Sequence, residues 1–137
     1  MAEPAVGLSI IMVNSDGAEL SLACLESLYR HPPSCLFEII VIDNCSREPF
    51  LEAAVTRFPS VRAVQSPRRQ GFARNYNLGM RQAQGEAVLI LNNDTLMHAG
   101  SLDTLLDWMH THPSYGMIGP KVVGSDGRVQ SVRSEEH

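Results

Sequence analysis

The apolar run LSIIMV at Leu8–Val13 is closed by the turn-forming residues NSDG at Asn14–Gly17. An apolar run of this length that ends in a turn indicates a buried strand. A later run, AVLIL at Ala87–Leu91, ends in the same way at Asn92–Asp94. Strands that are apolar on both sides are typical of parallel sheets covered by helices on both faces.

Between these strands, apolar residues recur at helical spacing, and proline or glycine follows each helical stretch. Strand and helix alternate along the chain with short connections, which predicts a doubly wound α/β fold with a mostly parallel sheet. With 137 residues, the chain suits one compact domain over residues 1–137. We expect strands at 8–13, 36–42, 61–64, 87–91 and 117–123, a turn at 125–127, and helices at about 18–30, 50–58, 70–85 and 102–112.

Composition excludes some classes of partner and site. The net charge of −4, from 11 basic and 15 acidic residues, argues against a nucleic-acid-binding surface. Cys24, Cys35 and Cys45 have no spacing typical of a disulfide framework or a zinc site, so we expect reduced thiols. The N-terminus lacks a basic signal region and Leu8–Val13 is too short to span a bilayer, which predicts a cytoplasmic chain. Peripheral association of a longer protein with the inner membrane stays open.

Polar residues leave three of the predicted strands at their carboxyl ends: Asn14–Asp16, Asp43–Asn44 and Asn92–Asp94. In a parallel sheet of order 3-2-1-4, these ends meet at one edge, where such folds bind ligands. The sequence therefore predicts a ligand site there. Alternatively, the polar residues of each cluster only form the turn that follows their strand.

The turn after the first strand contains only Gly17, so the dinucleotide pattern G-x-G-x-x-G is missing, as is a P-loop lysine-serine pair. This favours recognition of a base and ribose by side chains, with a cation for the phosphates. Asp94 is one hard carboxylate beside two amides, which suffices for Mg²⁺ or Mn²⁺ shared with substrate phosphates. Alternatively, residues 92–95 form an Asx-type turn.

Five segments follow one another along the chain: Leu8–Asn14, Ile39–Asn44, Gln70–Asn75 with Asn77 and Gly79, Ala83–Glu86, and Leu91–Thr95. In this order they resemble the successive motifs of family 2 glycosyltransferases of the GT-A type. The form Asn92–Asp94, with the later GPKVV and SDG segments, is most similar to the bacterial rhamnosyltransferase-like branch. The resemblance implies a nucleotide-sugar-binding half without the acceptor half.

By this resemblance, Val13 and Asn14 line the nucleotide base, and Asp43 contacts the base or ribose. Alternatively, Asp43 is a turn carboxylate that caps the next helix. Asp94 matches the metal-binding last residue of the family's D-x-D motif. Asn92 stands where the family more often has Asp, so the affinity for Mg²⁺ or Mn²⁺ is expected to be lower. The expected donor-binding residues are Val13, Asn14, Ser15, Asp43, Asn44, Gly71, Arg74, Asn75, Asn92 and Asn93, with Asp94 as the metal ligand.

The segment Gly71–Asn75 opens the third helix. Gly71 is expected to permit a tight turn, and Arg74 or Asn75 near the helix N-terminus to meet a diphosphate. Arg68 and Arg69, just before it, are expected to be solvated surface residues.

The resemblance also implies a reaction. An acceptor hydroxyl, of a saccharide or a lipid-linked sugar, attacks the anomeric carbon of a UDP- or dTDP-linked sugar with inversion, in cell-surface polysaccharide synthesis. The family's base comes from a later segment, so we assign none here and expect the chain alone to be inactive. Self-association is expected through Ile118, Val122 and Val123, if the acceptor half normally covers them.

Three other functions stay open. A nucleotidyltransferase would need a glycine-rich, arginine-containing loop where Asn14–Gly17 stands. A receiver-like regulatory module would need acids in place of Asn14 and Ser15, although Lys121 is near its expected position. A catalytically inactive nucleotide-binding domain is compatible with the sequence.

Overall fold

The computed structural model describes residues 5–130 of the chain. Its contacts divide the chain into two compact units with the boundary between Asp103 and Thr104. The first contains the main sheet, and the prediction of a single domain over residues 1–137 stays a prediction. The elements are β1 Leu8–Asn14, α1 Ala18–Arg30, β2 Phe37–Asp43, α2 Phe50–Arg57, β3 Arg62–Gln65, α3 Phe72–Met80, β4 Ala87–Leu91, α4 Ser101–Thr111, β5 Val122–Val123 and β6 Val129–Gln130.

The main sheet has four parallel strands in the order β3-β2-β1-β4. This confirms the predicted order and the alternation of strands with helices. In the register between β1 and β2, Leu8 is opposite Phe37 and Asn14 is opposite Asp43. On the other side of β1, Met12 is opposite Leu91. All four strands therefore end at one edge, and the polar residues that follow them share it.

The core lies around β1 and β2, whose apolar side chains are almost fully buried. Helix α3 packs closely on these strands because Gly79 has no side chain. A Cβ at Gly79 would lie 2.5 Å from Cγ2 of Ile11 and 2.7 Å from Cδ1 of Ile42. This close approach fixes the position of the whole helix, including Asn75 and Tyr76 in its first turns.

The third helix is shorter than predicted. It ends at Met80 instead of near Gly85. The amide of Gln84 donates to Oε2 of Glu38 at 2.7 Å, and the amide of Gly85 donates to Oγ of Ser9 at 2.7 Å. Side chains of β1 and β2 thus accept these hydrogen bonds, so the backbone leaves the helix before the predicted end.

The prediction of a fifth strand over residues 117–123 was wrong in extent and in place. Only Val122–Val123 is a strand, and it pairs antiparallel with Val129–Gln130 in a separate two-stranded sheet. Pro120 lacks the N–H that a paired strand needs, which explains the loss of the first half. The turn between the two strands is present, with a hydrogen bond of 2.9 Å from the Gly127 amide to the Gly124 carbonyl.

Strand β4 is not covered on both faces, contrary to the expectation from its apolar sequence. Its side chains alternate in exposure, and Val88 and Ile90 are 44% and 45% exposed. In the described part of the chain, β4 pairs only with β1, so it is an edge strand. An apolar edge strand of this kind favours association with another surface.

Cys24, Cys35 and Cys45 are free thiols; Cys24 is buried and Cys45 is exposed. None of the helices found within residues 5–130 is long and apolar enough to cross a membrane. The cellular compartment stays a prediction.

Candidate functional site

The centre of the site is the side chain of Asn14, which is fully buried at the end of β1. Its Nδ2 donates to Oδ1 of Asp43 at 3.0 Å and to Oγ of Ser46 at 3.1 Å. Its Oδ1 accepts a hydrogen bond of 2.6 Å from Oγ of Ser21, and that Oγ accepts another of 2.9 Å from Nδ2 of Asn93. One chain of hydrogen bonds therefore joins the ends of β2 and β1, helix α1 and the turn after β4.

Asp43 ends β2 and is 4% exposed. Besides the bond from Asn14, its Oδ2 accepts a hydrogen bond of 3.0 Å from the Ser46 amide. The carboxylate thus caps the β2–α2 loop, and each oxygen keeps a lone pair for a further donor. A cavity of about 230 Å³ lies beside it, lined by residues 46–52, Asp43 and Gln65.

The turn after β4 places Asp94 at the surface. Oγ1 of Thr95 donates to the Asn92 carbonyl at 2.8 Å and closes the turn. Helix α4 begins only at Ser101, so this turn does not cap it. Within residues 5–130, the carboxylate of Asp94 forms no hydrogen bond or ion pair, which leaves its oxygens accessible to a ligand.

Tyr76 joins α3 to the end of β4, and sequence reasoning missed it. Its hydroxyl donates to the Leu91 carbonyl at 2.6 Å, and the side chain is 3% exposed. Burial raises the pKa of Tyr76 to about 12, and the negative charge of Asp94 adds to this. Burial likewise raises the pKa of Cys24 to about 11, again with a contribution from Asp94.

Asn44, Gln70 and Asn75 form a second cluster. Asn44 accepts a hydrogen bond of 2.9 Å from the Gln70 amide through Oδ1 and donates one of 3.0 Å to the Gln70 carbonyl through Nδ2. Asn75 is 1% exposed; it accepts from Nε2 of Gln70 at 3.0 Å and donates to the Gln70 carbonyl at 3.3 Å. Two of the predicted donor-binding residues thus hold the turn that leads into α3.

The structure brings the other predicted residues to the same edge with fewer contacts. Val13 is half-buried against the core, and Ser15 is exposed. Arg74 is exposed and forms no ion pair with the residues that the structure describes. Gly71 has φ −76°, and a Cβ there would meet no described atom within 4 Å. The backbone therefore does not require glycine at position 71, contrary to the tight turn expected there.

The sequence predicted that Arg69 is a solvated surface residue, but in the structure its side chain has a charged partner. Its guanidinium forms an ion pair with the carboxylate of Asp16, 53 positions earlier. Sequence spacing gives no signal for this pair, because the two residues lie on different loops. Ser21 and Ser46, the hydrogen-bond partners of Asn14, were not predicted for the same reason.

The residues at this site fit a divalent cation that is held jointly by the protein and by the phosphates of a substrate. Among residues 5–130, no group of three or more His, Cys, Asp or Glu side chains lies close enough to hold a metal ion. Asp94 offers one accessible carboxylate, and the exposed side chain of Asn92 lies two positions before it. Mg²⁺ commonly takes one or two carboxylates with substrate phosphates and water, which is compatible with this donor set.

Comparison with known proteins gives a consistent result. Residues 9–137 match the family model described as Glycosyl transferase family 2. The N-acetylglucosaminyl-diphospho-decaprenol L-rhamnosyltransferase of Mycobacterium tuberculosis is 30% identical over 122 residues, covering 81% of this chain and 38% of that protein.

Two solved structures share the fold. The mannosyltransferase from Pyrobaculum calidifontis in complex with GDP-Man and Mn²⁺ matches with a TM-score of 0.68 and 26% identity, over 78% of this chain and 34% of that one. Residues 1-349 of S. aureus TarS in complex with UDP-GlcNAc match with a TM-score of 0.71 and 23% identity, over 79% and 32%.

The chain thus spans 38% of the rhamnosyltransferase that it matches and about a third of each solved neighbour. The family match, which begins one residue after the start of β1, includes the rest of the parallel sheet and the site at its edge. On the evidence of the family match over residues 9–137 and of these neighbours, the chain has a GT-A-type fold and belongs to glycosyl transferase family 2.

Proposed function

We propose that this chain binds a nucleoside-diphosphate sugar at the carboxyl edge of its parallel sheet and supplies the donor site of a glycosyltransferase. The observation that carries the proposal is the hydrogen-bond chain from Asp43 through Asn14 and Ser21 to Asn93. It fixes a buried carboxylate and the turn bearing an accessible one, Asp94, at one edge. Preorganised polar groups at this edge are what ligand binding in such sheets requires.

The nucleoside is assigned to the β2 side of the edge. Asp43 keeps lone pairs for a base or ribose donor, and the adjacent cavity provides space beside it. Ser15 is exposed next to Asn44 and completes this side. The diphosphate is assigned to the β4 side, where Asn93 is held by Ser21 and Asp94 faces solvent.

Asp94, with the amide of Asn92, would hold a divalent cation together with the diphosphate. When bound, such a cation stabilises the negative charge that develops on the leaving diphosphate. The mannosyltransferase neighbour was solved with Mn²⁺, which supports a cation in the family. Because Asn92 carries no charge, we expect weaker metal binding than a site with two carboxylates would have.

In the proposed reaction, an acceptor hydroxyl attacks the anomeric carbon of the donor, the bond to the diphosphate oxygen breaks, and the configuration inverts. This chain's residues orient the donor: Asp43 and Ser15 at the nucleoside, Asn93 and Arg74 at the diphosphate. The proton of the acceptor must pass to a base, and we assign none to the described residues. Positioning of this kind lowers the entropic part of the barrier.

We propose UDP or dTDP as the nucleotide and a saccharide or lipid-linked sugar as the acceptor of the full enzyme. The name of the mycobacterial relative includes a lipid diphosphate acceptor, which supports the second choice. A role in cell-surface polysaccharide synthesis, in the cytoplasm or at the inner membrane, follows from such an acceptor.

Calorimetry tests the proposal. The chain is titrated with UDP and with dTDP in the presence of Mn²⁺, and at least one should bind. Asp94→Ala should weaken binding about tenfold, as expected for the loss of a charged ligand. Asp126→Ala, which alters an exposed aspartate of the separate hairpin, is the matched control and should leave the affinity unchanged. If neither nucleotide binds the wild-type chain, the proposal is wrong.

A further inference from the structure

Asp16 contacts two other loops at the carboxyl edge of the sheet. These are the loop between β2 and α2 and the loop between β3 and α3. Asp16 itself lies in the β1–α1 loop with φ +55°, a left-handed conformation that aspartate tolerates better than most residues. Its amide donates to Oγ of Ser46 at 2.9 Å, and its Oδ1 accepts a hydrogen bond of 2.8 Å from the Arg47 amide. Its Oδ2 forms the ion pair with Arg69, which lies just before α3.

The ion pair between Asp16 and Arg69 closes a ring of five residues, which are Ser15, Asp16, Arg69, Gln70 and Asn44. Nδ2 of Asn44 lies 3.4 Å from Oγ of Ser15, and Asn44 is bonded twice to the backbone of Gln70. Gln70 is next to Arg69 in sequence, and Ser15 is next to Asp16. The guanidinium of Arg69 thus links the turn into α3 to the β1–α1 loop.

The ion pair between Asp16 and Arg69 can hold the Arg69 guanidinium in place, but it contributes little to the stability of the fold. The hydrogen bond from the Arg47 amide, followed by the interaction with Arg69, lowers the pKa of Asp16. The carboxylate is therefore ionised at neutral pH. The side chains of Arg69 and Asp16 are 55% and 37% exposed, and ion pairs that are this accessible to water add little to the free energy of unfolding.

We propose that Asp16 is a positioning residue that holds the Arg69 guanidinium toward the diphosphate of the bound donor. Gly17, the next residue, lies against Asn93, since a Cβ there would be 3.0 Å from its Nδ2. The Asp16 loop is therefore adjacent to the turn assigned to the diphosphate. A planar guanidinium matches the oxygens of a diphosphate better than an ammonium does. This inference rests on the proposed function.

The test measures affinity by calorimetry with UDP or dTDP, whichever binds the wild-type chain more tightly, and with the matching nucleoside, which has no phosphates. Asp16→Asn keeps an acceptor for the Arg47 amide but removes the charge. We expect it to weaken nucleotide binding about threefold to tenfold, and Arg69→Ala to do the same. The double variant should be no weaker than Arg69→Ala alone, because the two residues act as a unit.

Nucleoside affinity and the melting temperature should stay at wild-type values in all three variants, as they should in the control Asp126→Asn. Unchanged nucleotide affinity in Asp16→Asn, while the wild-type chain binds, would overturn the inference. Tighter binding would also overturn it, since Asp16 would then compete with the diphosphate for Arg69. A parallel loss of nucleoside affinity would show that Asp16 only shapes the loop. Failure of the wild-type chain to bind any nucleotide refutes the proposed function itself.

Discussion

Nδ2 of Asn14 donates a hydrogen bond of 3.0 Å to Oδ1 of Asp43, the residue opposite it in the neighbouring strand. Both side chains are buried, and both stand at the carboxyl end of their strands. The register of the sheet therefore positions the two polar groups before any ligand arrives. The side chain of Asn14 is fully buried and donates both of its amide hydrogens, so its main effect on binding is to orient Asp43 and, through Ser21, Asn93.

Asn14→Ala should destabilise the chain by about 1–3 kcal/mol, because Asp43 and Ser21 each lose a buried hydrogen-bond partner. The free energy of unfolding from urea denaturation measures this. Asn77→Ala is the matched control, since Asn77 is exposed on α3, and should change stability by less than about 0.5 kcal/mol. Equal stability of the two variants would show that the network at Asn14 contributes nothing.

Gly79→Ala should also destabilise the chain, by about 1–2 kcal/mol net. The new methyl group would lie 2.5 Å from Ile11 and 2.7 Å from Ile42, and the overpacking costs more than the gain in helix propensity returns. Gly116→Ala, where a Cβ meets no described atom within 4 Å, is the control. A Gly79→Ala chain as stable as the wild type would mean that α3 can move away from the sheet without cost.

Cys24 should resist alkylation in the folded chain. Its pKa is raised to about 11, so at pH 8 about one thiol in a thousand is the reactive thiolate, and the side chain is buried as well. Mass spectrometry after treatment with iodoacetamide should find Cys45, which is exposed, modified first. In urea all three thiols should react at similar rates. Rapid modification of Cys24 at pH 8 without denaturant would contradict the burial described here.

Self-association is expected through the exposed apolar edge of β4, in addition to the hairpin residues Val122 and Val123, which are 38% and 49% exposed. Ile90→Lys places a charge on the open edge and should reduce the average mass at high concentration in light scattering. Val123→Lys, on the separate hairpin, measures the contribution of the other surface. A wild-type chain that stays monomeric at the highest concentrations would rule out both surfaces.

The sequence predicted the main sheet well because three of its strands, β1, β2 and β4, are largely apolar runs closed by turn residues. The order of the strands and the meeting of Asn14, Asp43 and Asn93 at one edge followed from the general geometry of parallel sheets. These predictions needed only local patterns and one rule of topology.

The wrong predictions for α3, Arg69 and β4 depended on tertiary contacts. The length of α3 is set by Ser9 and Glu38, which accept hydrogen bonds from the amides of Gly85 and Gln84. The pair of Asp16 and Arg69 joins residues on different loops, for which periodicity has no signal. The exposure of β4 depends on what packs against it, and an apolar run alone does not reveal that.

We propose that donor nucleotide and cation bind at the edge formed by the ends of β1, β2 and β4. Paramagnetic broadening of backbone amide signals by Mn²⁺ in the presence of UDP or dTDP tests it most directly, with Mg²⁺ as the diamagnetic control. The amides of residues 15–17 and 93–95 should broaden first, followed by those of 43–46 and 69–71. Nucleotide-dependent broadening that is centred on the 122–130 hairpin, or none anywhere, would contradict it.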